Sequence, residues 1–114
     1  MKHEIASFLK DVLTAIESIE GFLDGVDETA FVTSDLIRAA VERKFIIIGE
    51  ALSQIDKLGF SDQVTIEELQ QIIGFRHRLV HGYRLIDGRR VYAAAKDGMP
   101  ALKLTIANLL AKSK

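Results

Sequence analysis

The sequence predicts an all-α protein, an up-and-down bundle of four to five helices that forms a dimer. Apolar residues recur at steps of three and four in several long stretches, and capping residues stand in front of most of them. Proline occurs once in 114 residues, so long helices are possible. Hydrophobic residues make up 48% of the chain, which is enough for a buried core in a single domain over residues 1–114.

The first half of the chain predicts two helices. The apolar residues from Ile5 to Leu23 fall on one face of the first helix, and Gly25 is expected to cap its C-terminus. Ser34 can cap the second helix, which should stop near Gly59. The apolar face of the second helix is predicted to contain Leu36, Ala40, Ile47, Ala51, Leu52 and Ile55.

The second half predicts two more helices. Thr65 opens a capping box with Glu68 three residues later, and this third helix should end near Gly82. Asp87 can cap a fourth helix, which Pro100 should kink or split because proline lacks the backbone N–H group. The apolar face of the fourth helix is predicted to contain Val91, Ala94, Ala95, Leu102, Ile106, Leu109 and Leu110.

The second helix has an unusual apolar segment. Its residues 45–48 read Phe-Ile-Ile-Ile, so this part of the helix is apolar all the way round. A helix at the surface of a bundle normally exposes one polar face to water. We therefore expect this helix to lie at the centre of the bundle and to be covered in part by a second chain, as in a symmetric dimer.

The composition excludes several classes of site. The chain has no cysteine, so disulfides, thiolate metal sites and cysteine nucleophiles are excluded. Its densest apolar run, residues 45–48, is far shorter than the ~18 residues of a membrane span. The first residues also lack the apolar stretch of a signal peptide. We expect a cytoplasmic protein that has no contact with a membrane.

The net charge of −1 conceals an uneven distribution. Residues 1–75 carry 14 Asp and Glu against 6 Lys and Arg, whereas residues 76–114 carry 9 Lys and Arg against 2 Asp. Five of the seven arginines lie between Arg76 and Arg90. Such a basic surface suits an anion such as nucleic acid, although opposite faces of a bundle can also differ in charge without any ligand.

The stretch from Arg76 to Tyr83 brings together side chains that can cleave a phosphodiester without a metal. Arginine binds phosphate and stabilises its added charge, and histidine can accept the proton of a ribose 2′-hydroxyl. Arg76 and His81 are five residues apart and do not stack on an ideal helix, but they can converge at a frayed helix end or across a dimer axis. A purely structural interpretation also accounts for these residues. Their side chains would then only donate hydrogen bonds to carbonyl groups at the end of a helix.

A metal site is a weaker interpretation of the same stretch. His77 and His81 are four residues apart and could bind one ion from one helix face. The remaining histidine is His3, so no third ligand is evident. We expect neither a metal nor a cofactor.

Several motifs resemble the HepT-like family of HEPN-domain ribonuclease toxins. They are the block 48–51 (Ile-Gly-Glu-Ala), the stretch 74–83 with its Arg-x-x-x-x-His-x-Tyr spacing, and the closing segments 86–92 and 99–102. The resemblance covers nearly the whole chain. It implies a HEPN-like bundle and a homodimer whose cleft is formed by both copies.

The resemblance also assigns roles to individual residues. Arg76 and His81 would be the catalytic pair of a metal-independent endoribonuclease, the toxin of a type VII-like toxin–antitoxin system. Tyr83 would accept AMP from a cognate MntA-type nucleotidyltransferase antitoxin. RNA is the expected substrate, and DNA binding is not expected. The expected supporting residues are Glu50, His77 and Arg78.

Two other functions stay open. The chain can be a non-catalytic HEPN partner that binds a nucleotidyltransferase, or a nucleotide-binding protein that uses the same basic cleft. A complete pair of Arg76 and His81 favours the enzyme, because a binding module does not need both. Phe75 and Tyr92 are expected to be core residues rather than platforms for bases. Four arginines can follow an RNA backbone or be plain surface charges: Arg78, Arg84, Arg89 and Arg90.

Overall fold

The computed structural model describes residues 3–59, 75, 78, 80 and 87–112, and every regular element among them is helical. The predicted all-α class is confirmed. The predicted third helix lies outside the described residues, except that residues 75, 78 and 80 have helical backbone. The helices are α1 (His3–Phe22), α2 (Glu28–Thr33), α3 (Asp35–Lys57), α4 (Gly88–Ala93) and α5 (Met99–Lys112), with a π-helical turn at Ala94–Gly98.

Helix α1 follows the predicted apolar spacing. Its buried residues recur every three or four positions, so they form one stripe that faces the core. The chain leaves the helix through Gly25, whose φ of 70° lies in the left-handed region that glycine adopts without strain. The predicted end of the first helix is therefore confirmed. The buried residues of α1 are Ile5, Leu9, Val12, Ala15, Ile16 and Ile19.

Helix α3 is the predicted second helix. The Ser34 hydroxyl accepts a hydrogen bond from the backbone N–H of Ile37 at 3.2 Å, and Gly59 follows the helix with φ at 79°. The prediction that Leu36 belongs to the apolar core is wrong, because its side chain is 81% exposed. Leu36 stands nine residues before the buried Phe45, and nine steps of 100° place it on the opposite side of the helix.

A short helix that the periodicity did not reveal lies between α1 and α3. The Asp27 carboxylate caps α2 by accepting the N–H of Ala30 at 2.8 Å. Phe31 is fully buried, and its ring centroid lies 5.6 Å from that of Tyr92. The Tyr92 hydroxyl donates to the carbonyl of Val26 at 2.9 Å. Six residues are too few to show a helical period, so the element is detectable only by its cap.

The C-terminal helical region begins at the predicted cap and passes Pro100 without a break. The Asp87 carboxylate accepts the N–H of Arg89 at 3.0 Å. A π-helical turn lies directly before Met99 and Pro100, and the junction residues Ala94 and Met99 keep right-handed helical dihedrals. The predicted kink or split near Pro100 thus corresponds to a π-helical interruption between α4 and α5. A π turn widens the backbone spiral where the proline ring would otherwise collide with the carbonyl four residues earlier.

Helix α3 contains the apolar segment 45–48, of which Phe45 and Ile48 are buried and Ile46 and Ile47 only partly buried. It packs along α1 and also contacts α2, and α1 packs in turn against α5. Phe8 and Asp11, near the start of α1, share a groove with Glu50 and Gln54, near the end of α3, so these two helices run antiparallel. Among the helices that the structure describes, none has the length and apolar character needed to cross a bilayer. The buried residues of α3 include Val41, Phe45, Ile48, Leu52 and Ile55.

Candidate functional site

The structure describes part of the site that the sequence predicts. The catalytic pair Arg76 and His81, the AMP acceptor Tyr83 and the supporting His77 lie outside the described residues. The same is true of Arg84, one of the four arginines predicted to follow an RNA backbone. The predicted supporting residues Glu50 and Arg78 lie among the described residues.

Glu50 lies on an exposed part of α3, at the edge of a surface groove between α1 and α3. The groove has a volume of about 360 Å³. Two carboxylates, those of Glu50 and Asp11, line it beside the apolar side chains of Phe8 and Ile47. Both charged side chains among its described lining residues are thus acidic. The described lining residues are Phe8, Asp11, Ile47, Glu50, Ala51 and Gln54.

An aromatic contact fixes the chain next to the predicted motif against α3. The Phe75 ring lies edge-on to the Phe45 ring, with centroids 5.1 Å apart and planes inclined by 73°. Phe45 is only 2% exposed and stands five residues before Glu50 on α3. Phe75 directly precedes Arg76 in the sequence, and it contacts the same helix that carries Glu50. The prediction that Phe75 and Tyr92 are core residues is confirmed, because both pack against the buried cluster.

The described arginines of the basic region are exposed. The guanidinium carbon of Arg78 lies 5.9 Å from the centre of the Phe75 ring, which is a cation–π distance. Arg89 and Arg90 lie exposed at the start of α4. Arg89 also borders a groove of about 250 Å³ that contains Glu28. Their exposure allows these arginines to contact an anionic polymer. Arg89 also shares its groove with the Glu28 carboxylate, which would oppose such a contact.

An arginine that the sequence did not single out lies over the start of α4. Gly88 is buried, and a Cβ atom built on it would come within 3.3 Å of the Arg38 guanidinium. Glycine therefore allows α3 and α4 to approach closely at this point. The Arg38 Nε atom lies 3.7 Å from the Glu42 carboxylate. Burial raises the pKa of Glu42 above its ordinary value of 4.5, and the charge of Arg38 partly opposes this shift.

No group of three or more His, Asp or Glu side chains that could hold a metal ion occurs among the described residues. His77 and His81, the pair considered as ligands from the sequence, lie outside that part of the chain. The only described histidine is His3, which is exposed on α1.

The helical fold and the motif together define a class of protein. The family model described as "Ribonuclease HepT-like" matches residues 12–109, which is most of the chain. The chain therefore belongs to the HepT-like ribonuclease family, as its motifs predict. The matched range contains Glu50 and the whole stretch 76–83, so the predicted site residues lie inside the family region.

The names of individual relatives agree with this family assignment. The chain is 30% identical over 102 residues to "Putative RNase MJ0125" of Methanocaldococcus jannaschii, an alignment covering 90% of this chain and 87% of the relative. It is 30% identical over 105 residues to "Probable ribonuclease HepT" of Thermococcus cleftensis, covering 90% and 93%. It is 25% identical over 107 residues to "Putative RNase TTE0752" of Caldanaerobacter subterraneus, covering 94% and 95%. No solved structure matches the chain.

Proposed function

We propose that this chain is a metal-independent endoribonuclease in which Arg76 and His81 act on the scissile phosphodiester. The observation that carries the proposal is membership in a ribonuclease family whose matched region contains the complete Arg-x-x-x-x-His-x-Tyr motif. The relatives named above as RNases add support.

The reaction needs two kinds of side chain, and the motif supplies both. The His81 imidazole takes the proton of the ribose 2′-hydroxyl, and the 2′-oxygen then attacks phosphorus. The bond from phosphorus to the 5′-oxygen breaks, and a proton donor in the cleft protonates this leaving oxygen. The Arg76 guanidinium stabilises the extra negative charge on the phosphate in the transition state. Since an arginine supplies this charge, the reaction needs no metal ion.

We further propose that the enzyme is a cytoplasmic toxin of a type VII-like toxin–antitoxin pair and works as a homodimer. A cognate MntA-type nucleotidyltransferase transfers AMP to Tyr83 in this proposal. The added phosphate places negative charge two residues from His81 and competes with RNA for Arg76. The modification therefore silences the toxin by occupying the site that would otherwise hold the scissile phosphate.

The direct test is RNA cleavage by the purified wild-type protein in the presence of EDTA, compared with His81→Ala. His3→Ala is the matched control, because it removes an exposed histidine on α1 outside the motif. We expect cleavage by the wild type and by His3→Ala, and none by a folded His81→Ala protein. Intact-mass measurement must show that Tyr83 carries no AMP. An unmodified wild type that cleaves no RNA overturns the proposal and favours the non-catalytic partner of a nucleotidyltransferase.

A further inference from the structure

Helix α3 contacts the chain at two points that lie on either side of the predicted motif in the sequence. Before the motif, the Phe75 ring packs edge-on against the Phe45 ring, with centroids 5.1 Å apart. After the motif, Gly88 is buried, and a Cβ atom built on this glycine would lie 3.3 Å from both Cζ and Nε of Arg38. Residues 76–87 thus stand in the sequence between two contacts with the same helix.

The two contact points are neighbours on α3. Arg38 stands seven residues before Phe45, so a rotation of 100° per residue brings both to the same side of the helix. Val41, which is fully buried, lies between them on that side. At a rise of 1.5 Å per residue, the two positions are about 10 Å apart along the helix axis. Helix α3 therefore sets the distance between the contact at Phe75 and the contact at Gly88.

The contact between Arg38 and Gly88 depends on the shape of both residues. The guanidinium group is flat and glycine has no side chain, so the start of α4 can approach this group closely. A Cβ atom at 3.3 Å would be closer than ordinary carbon contacts, so any other residue at this position would displace the arginine. Glu42, one turn further along α3, lies 3.7 Å from the Arg38 Nε atom and attracts the guanidinium toward its observed position.

The stability of the fold does not by itself account for an arginine at position 38. Its Nε atom is buried and has no hydrogen-bond partner. The Glu42 carboxylate, at 3.7 Å, is beyond hydrogen-bond distance. A buried N–H group without an acceptor lowers stability, and an apolar side chain of similar length would avoid this loss. The free energy of folding alone therefore does not favour a guanidinium group here.

We propose that Arg38 is a positioning residue of the ribonuclease and, together with Gly88, fixes the C-terminal end of the motif-bearing stretch 76–87 on α3. The aromatic contact fixes the other end. This inference rests on the proposed function, since what Arg38 positions is the catalytic pair of the motif. An arginine and a histidine must reach one phosphodiester at the same time, so a small displacement of either lowers the turnover rate. Arg38 itself makes no contact with RNA in this proposal.

The first test measures the cleavage kinetics of Arg38→Met and Gly88→Ala per folded molecule. Methionine keeps an unbranched stem without the flat charged group, and alanine at position 88 displaces that group. We expect each variant to lower kcat about tenfold and to keep KM for RNA within about twofold of wild type. The matched controls should keep the wild-type kcat. They are Arg43→Met, at an exposed position of α3, and Gly21→Ala, where a Cβ atom meets nothing within 4 Å.

The double variant tests whether both residues act through one contact. If alanine at position 88 acts by displacing Arg38, it should have little further effect once Arg38 is methionine, and kcat should stay within about twofold of the Arg38→Met value. Reductions that multiply fully in the double variant would overturn the inference. A raised KM with unchanged kcat would also overturn it, because that result is expected of an arginine that binds RNA directly.

Hydrogen exchange gives a measurement that does not need an active enzyme. Amide exchange in peptides that cover residues 76–87 should become faster in Arg38→Met and Gly88→Ala, whereas exchange in α1 should stay as in wild type. Faster exchange along the whole chain would show a general loss of stability and would contradict the positioning role.

The outcome for Arg38 is separate from the outcome for the enzyme. A wild type that cleaves no RNA, with exchange in the variants faster only over residues 76–87, contradicts the proposed ribonuclease and leaves the fixing of this stretch intact. A wild type that cleaves RNA, with the same kcat in Arg38→Met and Gly88→Ala, contradicts the positioning role and leaves the ribonuclease intact.

Discussion

The contact between Phe45 and Phe75 should stabilise the fold and also hold the motif in place. We consider a double-mutant cycle made of Phe45→Leu, Phe75→Leu and the double variant. Leucine keeps an apolar side chain at each position but removes the edge-to-face geometry of the rings. Because Phe75 precedes Arg76 directly, loss of this contact should loosen the chain at the start of the proposed catalytic motif.

The size of the effect follows from the geometry. The ring centroids are 5.1 Å apart and the planes are inclined by 73°, which is inside the favourable range for aromatic pairs. Such a pair contributes about 0.5–1.5 kcal/mol beyond the burial of its surface. Each single substitution should lower the free energy of unfolding by about 1–2 kcal/mol, with the larger loss at Phe45, which is 2% exposed. The double variant should lose about 1 kcal/mol less than the sum of the single losses.

Two assays check this prediction. Urea denaturation of the four proteins gives the coupling energy, and the initial rate of RNA cleavage, corrected for the folded fraction, gives the effect on activity. Phe31→Leu is the matched control, because it removes a ring from the other aromatic pair, that of Phe31 with Tyr92. We expect several-fold slower cleavage by Phe75→Leu and an unchanged rate per folded molecule for Phe31→Leu. A coupling energy below about 0.3 kcal/mol, or equal rates for Phe75→Leu and Phe31→Leu, would refute the reasoning.

Three further changes test other contacts by urea denaturation. Tyr92→Phe removes the hydrogen bond to the Val26 carbonyl and should lower the free energy of unfolding by about 1 kcal/mol. Ser34→Ala removes the cap of α3 and should cost about 1 kcal/mol, whereas Ser7→Ala, at an exposed position within α1, should change stability little. Burial raises the pKa of Glu42, so the folded state binds its proton more tightly than the unfolded chain does, and this carboxylate destabilises the fold as the pH rises above about 4.5. The free energy of unfolding of Glu42→Gln should therefore rise relative to that of wild type as the pH increases from about 4 to about 7. A difference between the two proteins that stays constant over this range would contradict the raised pKa of Glu42.

The sequence predicts the helices whose apolar periods are long enough to read. The extent of α1 follows from the spacing of its apolar residues. Each of α1 and α3 ends close to a glycine with positive φ, Gly25 and Gly59 respectively. The caps Ser34 and Asp87 could also be identified, because a side-chain oxygen directly before a run of helically spaced apolar residues is typical of a helix N-cap. Helix α2 could not be identified from an apolar period, since it spans less than two turns, and its only local signal is the cap residue Asp27.

The family and the candidate site residues likewise came from the sequence. A motif defined by residue types and spacing can be recognised in the sequence alone, and the residue range that the family model matches contains the whole motif. The roles of Arg76, His81 and Tyr83 remain predictions, as does the support expected from Glu50. Their chemistry is set by the types of side chain, which the sequence states directly.

Contacts between distant parts of the chain were decided only in three dimensions. Nothing in the sequence pairs Phe45 with Phe75, Tyr92 with Val26, or Arg38 with Gly88, because each contact depends on how the helices cross rather than on local spacing. The exposure of Leu36 has the same origin, since an apolar residue is buried only if a neighbouring element covers its side of the helix. Local periodicity thus determined which segments are helical, and packing determined which of their faces form the core.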